Sequence, residues 1–458
     1  MFFLNGDSRT MKTKHKQGNR GLSRRAFLGR AAAAATVVSV VPRHVVAGSG
    51  ETPPSERLNV AGIGAGGQAA HDLYVVARNS NIVALCDVDE KRAAGSFEKW
   101  PKAARYRDFR VMLEKEKGID AVVVATPDHM HAFAAMAAIE LGKHVYVEKP
   151  MAHSISETHK LMEAARRYKV ATQMGNQGHS FYGCRVLHTW IDNNVIGDVR
   201  EVHCWTNRPT WPQGMDRPAD TPPVPPTLAW DLWLGPAPER PYNPAYAPRD
   251  WRGWIDFGCG ALGDMACHIM DGAFWSLDLG APTRVEAESS GMNDESYPEW
   301  SIIRYAFPKR GKMPPVTLTW YDGGKMPPRP EELEEGRRMG DADGGALLVG
   351  DKGKIMTGTY GNGVRLIPEK KMKAMKRPKV EYPKSPGHHA EWLEACKGGP
   401  AAGSNFDYAG RLTETVLLGN VALRAGKPIE WDAENMKVAN VPGAERFITR
   451  AYREGWSL

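Results

Sequence analysis

The 458-residue chain lacks the cysteine pattern of a structural metal site. It contains six cysteines, and no two of them form a Cys-x-x-Cys pair. A zinc or iron–sulfur framework uses such closely spaced ligands, so we expect no metal site. The spacings do not require a disulfide either, although an oxidising compartment would permit one.

The chain also lacks a long apolar run that could hold it in a membrane. Ala31–Val41 is a modest apolar segment, whereas a helix that crosses a bilayer permanently needs about 20 apolar residues. We therefore expect no stable membrane span in the mature chain.

Excess charge is absent from most of the chain, although the formal net charge is +7. Residues 1–47 contain nine of the 60 basic residues and only one of the 53 acidic residues. The rest of the chain is therefore close to neutral. A nucleic-acid-binding body would carry a basic surface, so we expect no nucleic-acid partner.

The basic N-terminal segment resembles an export signal. Ser23–Leu28 reads Ser-Arg-Arg-Ala-Phe-Leu, as in twin-arginine leaders, and the apolar segment Ala31–Val41 follows it. Ala47 is a small residue suited to signal cleavage. We predict a twin-arginine signal peptide over residues 1–47, a linker over 48–56, and a periplasmic or secreted protein.

Glycine, in contrast, is concentrated directly after a predicted strand. Leu58–Ile63 leads into Gly-Ile-Gly-Ala-Gly-Gly at residues 62–67, and a helical stretch follows. Gly62 permits a tight turn, Gly64 lets the backbone approach a pyrophosphate, and Gly67 lets the helix pack closely. The order of strand, glycine turn and helix predicts a dinucleotide site formed by Gly62, Gly64, Ala65, Gly66 and Gly67.

An acidic residue stands where the ribose of a dinucleotide is expected. The predicted strand Ile82–Asp87 ends at Asp87, 20 residues after Gly67, which is the spacing of a carboxylate that binds the ribose hydroxyls. Its charge would repel a 2′-phosphate, and Asp89 and Glu90 add to that field. We therefore predict NAD as the cofactor and regard NADP as the less favoured one.

Strands and helices alternate as far as Met174. The predicted strands are Leu58–Ile63, Ile82–Asp87, Ala121–Ala125, His144–Val147 and Ala171–Met174. This alternation predicts a parallel sheet with helices on both faces. We therefore predict an α/β Rossmann domain over residues 57–174.

The pattern changes after Met174. The β-rich segments are Val199–Trp205, Thr283–Ser289, Ser301–Phe307 and Val316–Tyr321, and no obvious helix separates the last three. Consecutive strands without helices are typical of antiparallel sheets. We predict an α+β domain with a largely antiparallel open sheet over residues 175–458.

Two proline-rich segments, 209–226 and 236–248, interrupt the second domain as long covering loops. Aromatic residues are plentiful in and around them: Trp211, Trp230, Trp233, Tyr242, Tyr246, Trp251 and Trp254. These rings either pack the loops onto the sheet or form a wall on which sugar rings stack. The sequence leaves both interpretations open.

Two polar motifs lie at the ends of neighbouring predicted strands. One is Thr-Pro-Asp-His at residues 126–129, and the other is Glu-Lys-Pro at 148–150. Carboxyl ends of parallel strands meet at the edge where a dinucleotide binds. Lys149 could also stabilise the alkoxide character that develops on a substrate oxygen as hydride leaves. The candidate cofactor contacts from these motifs are Thr126, Pro127, His129, Glu148 and Lys149.

A glycine-rich segment at residues 258–263 leads into a helical run that contains Asp264 and His268. Because they are four residues apart, both lie on one face of the helix. Two ligands are too few for a metal site, and no third is evident. The pair is either a structural hydrogen bond or a histidine base tuned by a carboxylate.

Together, the glycine turn, the Glu-Lys-Pro tripeptide and the Asp-x-x-x-His pair resemble the glucose–fructose oxidoreductase/inositol dehydrogenase (Gfo/Idh/MocA) family, over roughly residues 57–430. In that family the lysine, the aspartate and the histidine form the catalytic set. The resemblance assigns these roles to Lys149, Asp264 and His268. It implies NAD or NADP, a sugar or polyol substrate, and a homo-oligomer that forms through the open sheet. We add Asn176 to these three as a candidate substrate-binding residue.

The expected function is NAD(P)-dependent oxidoreduction of a sugar, sugar derivative or cyclitol. His268 takes the hydroxyl proton, Lys149 polarises the oxygen, and Asp264 orients His268. One alternative is a redox-neutral, NAD-dependent glycosidase of the same family. Such enzymes tend to carry a Tyr-x-Thr-His-like motif, whereas residues 264–268 read Asp-Met-Ala-Cys-His. A second alternative is a catalytically silent carbohydrate-binding protein.

Overall fold

The computed structural model of the chain describes residues 56–458. The predicted leader lies outside the described residues. The first part alternates strands and helices in the order β1 (Leu58–Ile63), α1 (Gln68–Val76), β2 (Ser80–Cys86), α2 (Glu90–Lys99), β3 (Ala104–Tyr106), α3 (Phe109–Lys115), β4 (Ala121–Val124), α4 (Asp128–Glu140), β5 (His144–Val147), α5 (Ile155–Tyr168) and β6 (Thr172–Met174).

These six strands form one parallel sheet in the order β3-β2-β1-β4-β5-β6. The central strand β4 reads Ala-Val-Val-Val and is buried along its whole length, as expected of a parallel strand covered on both faces. The order reverses between β1 and β4, so the carboxyl ends of these strands flank a crevice suited to a ligand. The predicted Rossmann architecture is confirmed.

The second part is built on a nine-stranded mixed sheet. Its helices and strands are α6 (Tyr182–Asp192), β7 (Val199–Thr206), α7 (Trp230–Leu234), α8 (Gly260–Ile269), α9 (Asp271–Ser276), β8 (Arg284–Ser289), β9 (Ser301–Phe307), β10 (Val316–Tyr321), β11 (Gly344–Gly350), β12 (Gly353–Gly358), β13 (Arg365–Ile367), α10 (Glu369–Ala374), α11 (His388–Cys396), α12 (Phe406–Ala425), β14 (Ile429–Asp432) and β15 (Lys437–Val438). The strand order is β13-β12-β11-β7-β10-β9-β8-β14-β15. Every neighbouring pair is antiparallel except β7 and β10, which confirms the predicted α+β class.

The 20-residue helix α12 joins the two parts. It packs against α5 of the first part and against α8 and β8 of the second. Buried residues occur all round it, including Leu412, Val416 and Val421, which is the pattern of a helix enclosed by protein. The position of α8, which carries Asp264 and His268, is therefore coupled to the Rossmann sheet.

The structure adds elements that the sequence pattern did not predict. β3 has three residues and β15 has two, so neither is long enough to show an alternating pattern. β11 and β12 each begin and end at glycine, a residue that is depleted in strands. Their pairing with β7 and with each other comes from the tertiary fold.

Within residues 56–458, no helix combines the length and the apolar character needed to cross a membrane. The same part of the chain contains no cluster of three or more side chains suited to hold a metal ion. All six cysteines lie in this part, where they are buried and unpaired.

Candidate active site

The glycine turn after β1 is tightly enclosed. Gly64 has a φ of +83°, and a Cβ atom there would lie 2.7 Å from the carbonyl oxygen of Ala125, at the end of β4. A Cβ on Gly62 would lie 2.7 Å from the Leu73 side chain in α1. Glycine therefore allows the backbone at Gly64 to approach the end of β4 closely, and the backbone at Gly62 to approach α1.

Gly64→Ala should therefore destabilise the protein. An L-residue with a left-handed φ costs about 1–2 kcal/mol, and the contact with Ala125 adds to this cost. We expect a lower free energy of unfolding in urea and weaker dinucleotide binding. Gly95→Ala is the matched control, because a Cβ on this helical glycine meets nothing within 4 Å and should stabilise α2 by up to about 1 kcal/mol. Equal stability of the two variants would contradict the prediction.

Asp87 is held at the same edge of the sheet by two backbone groups. Its carboxylate accepts hydrogen bonds from the amides of Gly66 and Asp89, each at 2.9 Å, and burial raises its pKa. Arg92 lies across the glycine turn, because a Cβ on Gly67 would be 2.6 Å from its guanidinium Nη2. An acid and a cation thus flank the predicted adenosine end of the site.

A cavity of about 400 Å³ runs between the two sheets and unites the predicted motifs. Residues from the Rossmann part and from the second part share its wall. The residues important here are Gly64, Gly66, Asp87, Thr126, Pro127, Glu148, Lys149, Arg208, Trp211, Trp251, Arg252, Asp264, His268 and Tyr360. The glycine turn therefore faces the same space as Lys149 and as Asp264 and His268, which follow it by about 200 residues in the sequence.

Lys149 and Asp264 form the centre of the site. The Lys149 Nζ donates to Asp264 Oδ1 at 2.8 Å and to the Asp264 carbonyl oxygen at 2.7 Å. Burial disfavours both charges, but Lys149 and Arg252 hold the pKa of Asp264 well below its usual value. Asp264 in turn raises the pKa of Lys149 against the effect of its burial. Both groups are therefore ionised at neutral pH.

His268 lies one helical turn after Asp264 but makes no hydrogen bond with it. Its Nδ1 is buried and has no partner within residues 56–458, and its ring makes an edge contact with Tyr360, with 4.9 Å between ring centroids. Burial, with a further contribution from Lys149, lowers the pKa of His268 to about 3. The imidazole is therefore neutral at physiological pH and can accept a proton.

The prediction that Asp264 orients His268 by direct contact is wrong. The Asp264 carboxylate accepts hydrogen bonds from Lys149 and Arg252, which are better partners for its charge than a neutral imidazole. The prediction of a structural hydrogen bond between Asp264 and His268 fails for the same reason. Asp264 acts on His268 only through its charge, which favours the protonated ring.

Of the predicted site residues, Gly62, Ala65, Gly67, His129 and Asn176 do not line the cavity, and two of them are polar residues whose side chains have other partners. Asn176 is fully buried and uses its amide to bind Asp271 at 3.0 Å and Ser404 at 2.6 Å. His129 is also fully buried, and its ring nitrogens lie 3.2 Å and 3.0 Å from the carbonyl oxygens of Phe257 and Trp233. The prediction of substrate contact for Asn176 and of cofactor contact for His129 is therefore corrected: both side chains hold the protein together.

Sequence reasoning missed several residues that border the reacting groups. Arg252 Nε donates to Asp264 Oδ1 at 3.2 Å, and Arg208 Nε lies 3.7 Å from Asp264 Oδ2. Tyr360 reaches His268 from the segment after β12. Asp128, the neighbour of His129, lines the cavity, and burial raises its pKa to about 7. The sequence signals for these residues were the Thr-Pro-Asp-His motif, which contains Asp128, and the tryptophans around Arg252.

The aromatic rings of the loops pack the loops onto the protein, and three of them also border the cavity. Trp211, Trp233 and Trp251 line it, whereas Tyr246 and Trp254 do not. Trp233, Trp251, Tyr246 and Trp254 are buried in one apolar cluster with Phe257. Stacking of a sugar on the cavity-lining rings stays a prediction.

Two features beside the glycine turn suit a dinucleotide. The approach of Gly64 to Ala125 leaves no room for a side chain, and α1 begins there with its amide groups and positive dipole end. Next to Ala125, Thr126 Oγ1 is buried without a partner in the described part of the chain. An unpaired buried hydroxyl is costly, and a bound polar ligand would satisfy it.

Curated relatives match this chain over about a third of its length, and two of them illustrate the range of their names. Inositol 2-dehydrogenase of Salmonella typhimurium is 29% identical over 124 residues, which are 27% of this chain and 37% of the relative. Glycosyl hydrolase family 109 protein 1 of Bacteroides fragilis is 32% identical over 152 residues, 31% of this chain and 32% of the relative. The chain thus spans less than half the length of these relatives.

The similarity to a solved structure extends over a much larger part of the chain than the sequence similarity to these relatives. The crystal structure of the WlbA dehydrogenase from Bordetella pertussis, in complex with NADH and UDP-GlcNAcA, superposes with a TM-score of 0.59. The match covers 82% of this chain and 99% of that one at 15% sequence identity. At this identity the likeness is one of fold.

Two family models match the chain in the order of its two parts. Residues 57–176 match the oxidoreductase family's NAD-binding Rossmann fold, and residues 199–314 match its C-terminal alpha/beta domain. Both models describe the same family; the first covers the six-stranded parallel sheet, and the second covers β7, β8 and β9 of the mixed sheet together with α7 to α9. The chain therefore belongs to the Gfo/Idh/MocA family of NAD-binding oxidoreductases.

Proposed function

We propose that this protein transfers hydride between a carbinol of a sugar, sugar derivative or cyclitol and a nicotinamide cofactor. The observation that carries the proposal is the shared cavity, in which the glycine turn and the cluster of Lys149, Asp264 and His268 face each other. The nicotinamide ring supplies hydride acceptance when the cofactor is bound. The residues named here bind the substrate and move its proton.

The charges in the site support this division of work. Lys149 is protonated, anchored on Asp264, and able to donate a hydrogen bond to the substrate oxygen as negative charge develops there. His268 is neutral and takes the hydroxyl proton. Burial keeps His268 neutral, and Lys149 adds to this effect, because a second positive charge beside it is disfavoured.

The first experiment identifies the cofactor and then the activity. Purified protein is denatured, and the released small molecules are analysed by mass spectrometry for NAD, NADH, NADP and NADPH. The protein is then supplied with NAD and a panel of sugars and cyclitols while NADH fluorescence is followed. Retention of NAD(H) without turnover of any panel member would favour the carbohydrate-binding alternative over the dehydrogenase.

A redox-neutral glycosidase remains the second candidate, because the Bacteroides fragilis relative is named a glycosyl hydrolase. In such an enzyme the same residues would oxidise the sugar only transiently. Incubation with aryl glycosides separates the two candidates. Release of the aryl group without net NADH formation would establish the glycosidase, and net NADH without release would establish the dehydrogenase.

We propose NAD as the cofactor because Asp87 lines the cavity and carries the charge that repels a 2′-phosphate. Asp87→Ala should lose much of the preference for NAD, measured as the ratio of kcat/KM values with NAD and NADP. The positive charge of Arg92, beside the glycine turn, acts against this preference because it attracts a 2′-phosphate. Equal or better catalytic efficiency of the unaltered enzyme with NADP would refute the proposal.

We further propose export by the twin-arginine route. The support is the Ser-Arg-Arg-Ala-Phe-Leu segment at residues 23–28 and the apolar run after it. The double variant Arg24→Lys/Arg25→Lys should leave the protein in the cytoplasm, as measured by cell fractionation with the unaltered chain as control. Normal export of the variant would rule this route out.

Assembly of a homo-oligomer through the nine-stranded sheet stays a prediction, which light scattering can test.

A further inference from the structure

Three cations surround one carboxylate at the centre of the site. Lys149 and Arg252 contact Asp264 Oδ1 at 2.8 and 3.2 Å, and Arg208 lies 3.7 Å from Oδ2. One carboxylate cannot neutralise three positive charges. The nearest additional acid is Asp343, which lies 3.2 Å from Arg208 and is about half exposed, with 45% of its side chain accessible. An excess of one positive charge remains among these five groups.

Two other carboxyl groups border the cluster but do not remove this excess. Asp128 is buried, accepts a hydrogen bond from the Cys259 amide at 3.0 Å, and has a pKa raised to about 7 by its burial. Glu148 accepts a hydrogen bond from Gln177 at 2.7 Å, and burial raises its pKa well above the ordinary value. Both groups therefore carry less than a full negative charge at neutral pH.

The two arginines have donors left for a ligand. Arg208 uses Nη1 on Asn207 and Asp343, and Arg252 uses Nη1 on the Arg249 carbonyl oxygen. Within residues 56–458, the Nη2 group of neither arginine has a hydrogen-bond partner. The two arginines approach the two oxygens of one carboxylate, and both line the cavity.

Arg252 is also fixed in position. Its guanidinium lies 4.3 Å from the ring centroid of Trp251 and 5.8 Å from that of Trp211. Such contacts stabilise a planar cation over an aromatic face. A held guanidinium loses little entropy when it binds a planar carboxylate with two hydrogen bonds.

The place of these arginines separates them from the phosphates of a dinucleotide. Both come from the second part of the fold and contact the same carboxylate as Lys149. The cation at the glycine turn is a different one, Arg92. Arg208 and Arg252 therefore face the substrate end of the cavity.

We infer that the substrate is an anionic sugar, with a carboxylate that binds Arg208 and Arg252 beside the reacting carbinol. An excess of one positive charge matches a monoanionic carboxylate better than a dianionic phosphate. This inference rests on the proposed function for the identity of the site, and it goes further in naming a sugar acid as the substrate class.

The test measures binding as well as turnover. Full-length protein saturated with NADH is titrated calorimetrically with D-glucuronate and D-galacturonate, with their neutral counterparts D-glucose and D-galactose, and with D-glucose 6-phosphate. Hydrogen bonds to charged groups are the stronger ones, so at least one uronate should bind about tenfold or more tightly than its neutral counterpart. Arg208→Gln and Arg252→Gln should each reduce this preference to within about threefold, because each variant removes one charge-assisted hydrogen bond to the carboxylate.

Arg217→Gln is the matched control. Arg217 lies in the same proline-rich region, pairs with Glu295 at 2.6 Å, and does not line the cavity. This variant should keep the preference for the uronate. Circular dichroism and NADH affinity must be unchanged in all three variants, so that a loss of preference reports on the anion site and not on folding.

The remaining outcomes are decisive. Equal or tighter binding of the neutral sugars, no sugar binding at all, or an unchanged preference in both variants would overturn the inference. Tighter binding of D-glucose 6-phosphate than of either uronate would overturn the carboxylate assignment. Turnover separates this inference from the proposed function. Selective binding of a sugar acid without hydride transfer would contradict only the proposed function. Rapid oxidation of neutral sugars alone would contradict only the sugar-acid inference.

Discussion

His268→Ala is expected to lower kcat by about 10²–10⁴-fold, the usual contribution of a general base, while NAD binding persists. The ring lines the cavity, its Nδ1 has no partner among residues 56–458, and its low pKa keeps it free of a proton. Steady-state kinetics with a substrate that shows an isotope effect on the C–H bond measure the loss. His71→Ala, at an exposed position of α1, should be indistinguishable from the unaltered enzyme.

The pH profile gives a second measure of the same role. Only the neutral imidazole accepts a proton, so kcat/KM for oxidation should fall as pH falls through the pKa of His268, which lies below its ordinary value. Arg208 contributes to this lowering, so Arg208→Gln should move the fall to higher pH. Near-normal turnover of His268→Ala would identify Lys149 as the base instead.

Lys149→Met is expected to reduce kcat by about 10²–10³-fold, because it removes a donor aimed at the oxygen on which charge develops. Methionine keeps most of the side-chain volume. Asp264 retains Arg252 and Arg208 as partners, so the substitution leaves no uncompensated buried carboxylate. The loss should therefore appear in the chemical step, measured by single-turnover kinetics, and not in folding.

Lys102→Met provides the control for this change, since Lys102 is an exposed lysine of the turn before β3. It should leave kcat unaltered. If Lys149→Met kept more than about a third of the normal kcat, the role of Lys149 in stabilising developing charge would be rejected. The site would then depend on the arginines for this purpose.

The Rossmann part could be predicted well because its signals are local. Strand β1, the glycines at 62–67 and Asp87 lie within 30 consecutive residues, and each has a backbone or charge requirement that few other residues meet. The short buried strand β4 is equally easy to predict, because its run of three β-branched valines is typical of a buried strand. These features need no information from distant parts of the chain.

The second part was predicted less completely for the opposite reason. The prediction recovered β7 to β10, where apolar side chains alternate, but not β11 and β12, which glycines bound. Tyr360 follows β12 and reaches His268, yet nothing in its neighbourhood marks it as a site residue. Its role depends on pairing between strands that are more than 100 residues apart.

By itself, the amino-acid sequence determined the cofactor turn, the acid at the ribose position and the three central residues Lys149, Asp264 and His268. Only the tertiary structure decided which groups these residues contact. In the structure, Asp264 binds Lys149 and Arg252 and not His268, and Asn176 is buried away from the cavity. Residue types and spacings state which chemistry is available, whereas burial and competition among charged partners decide which contacts have the lowest free energy.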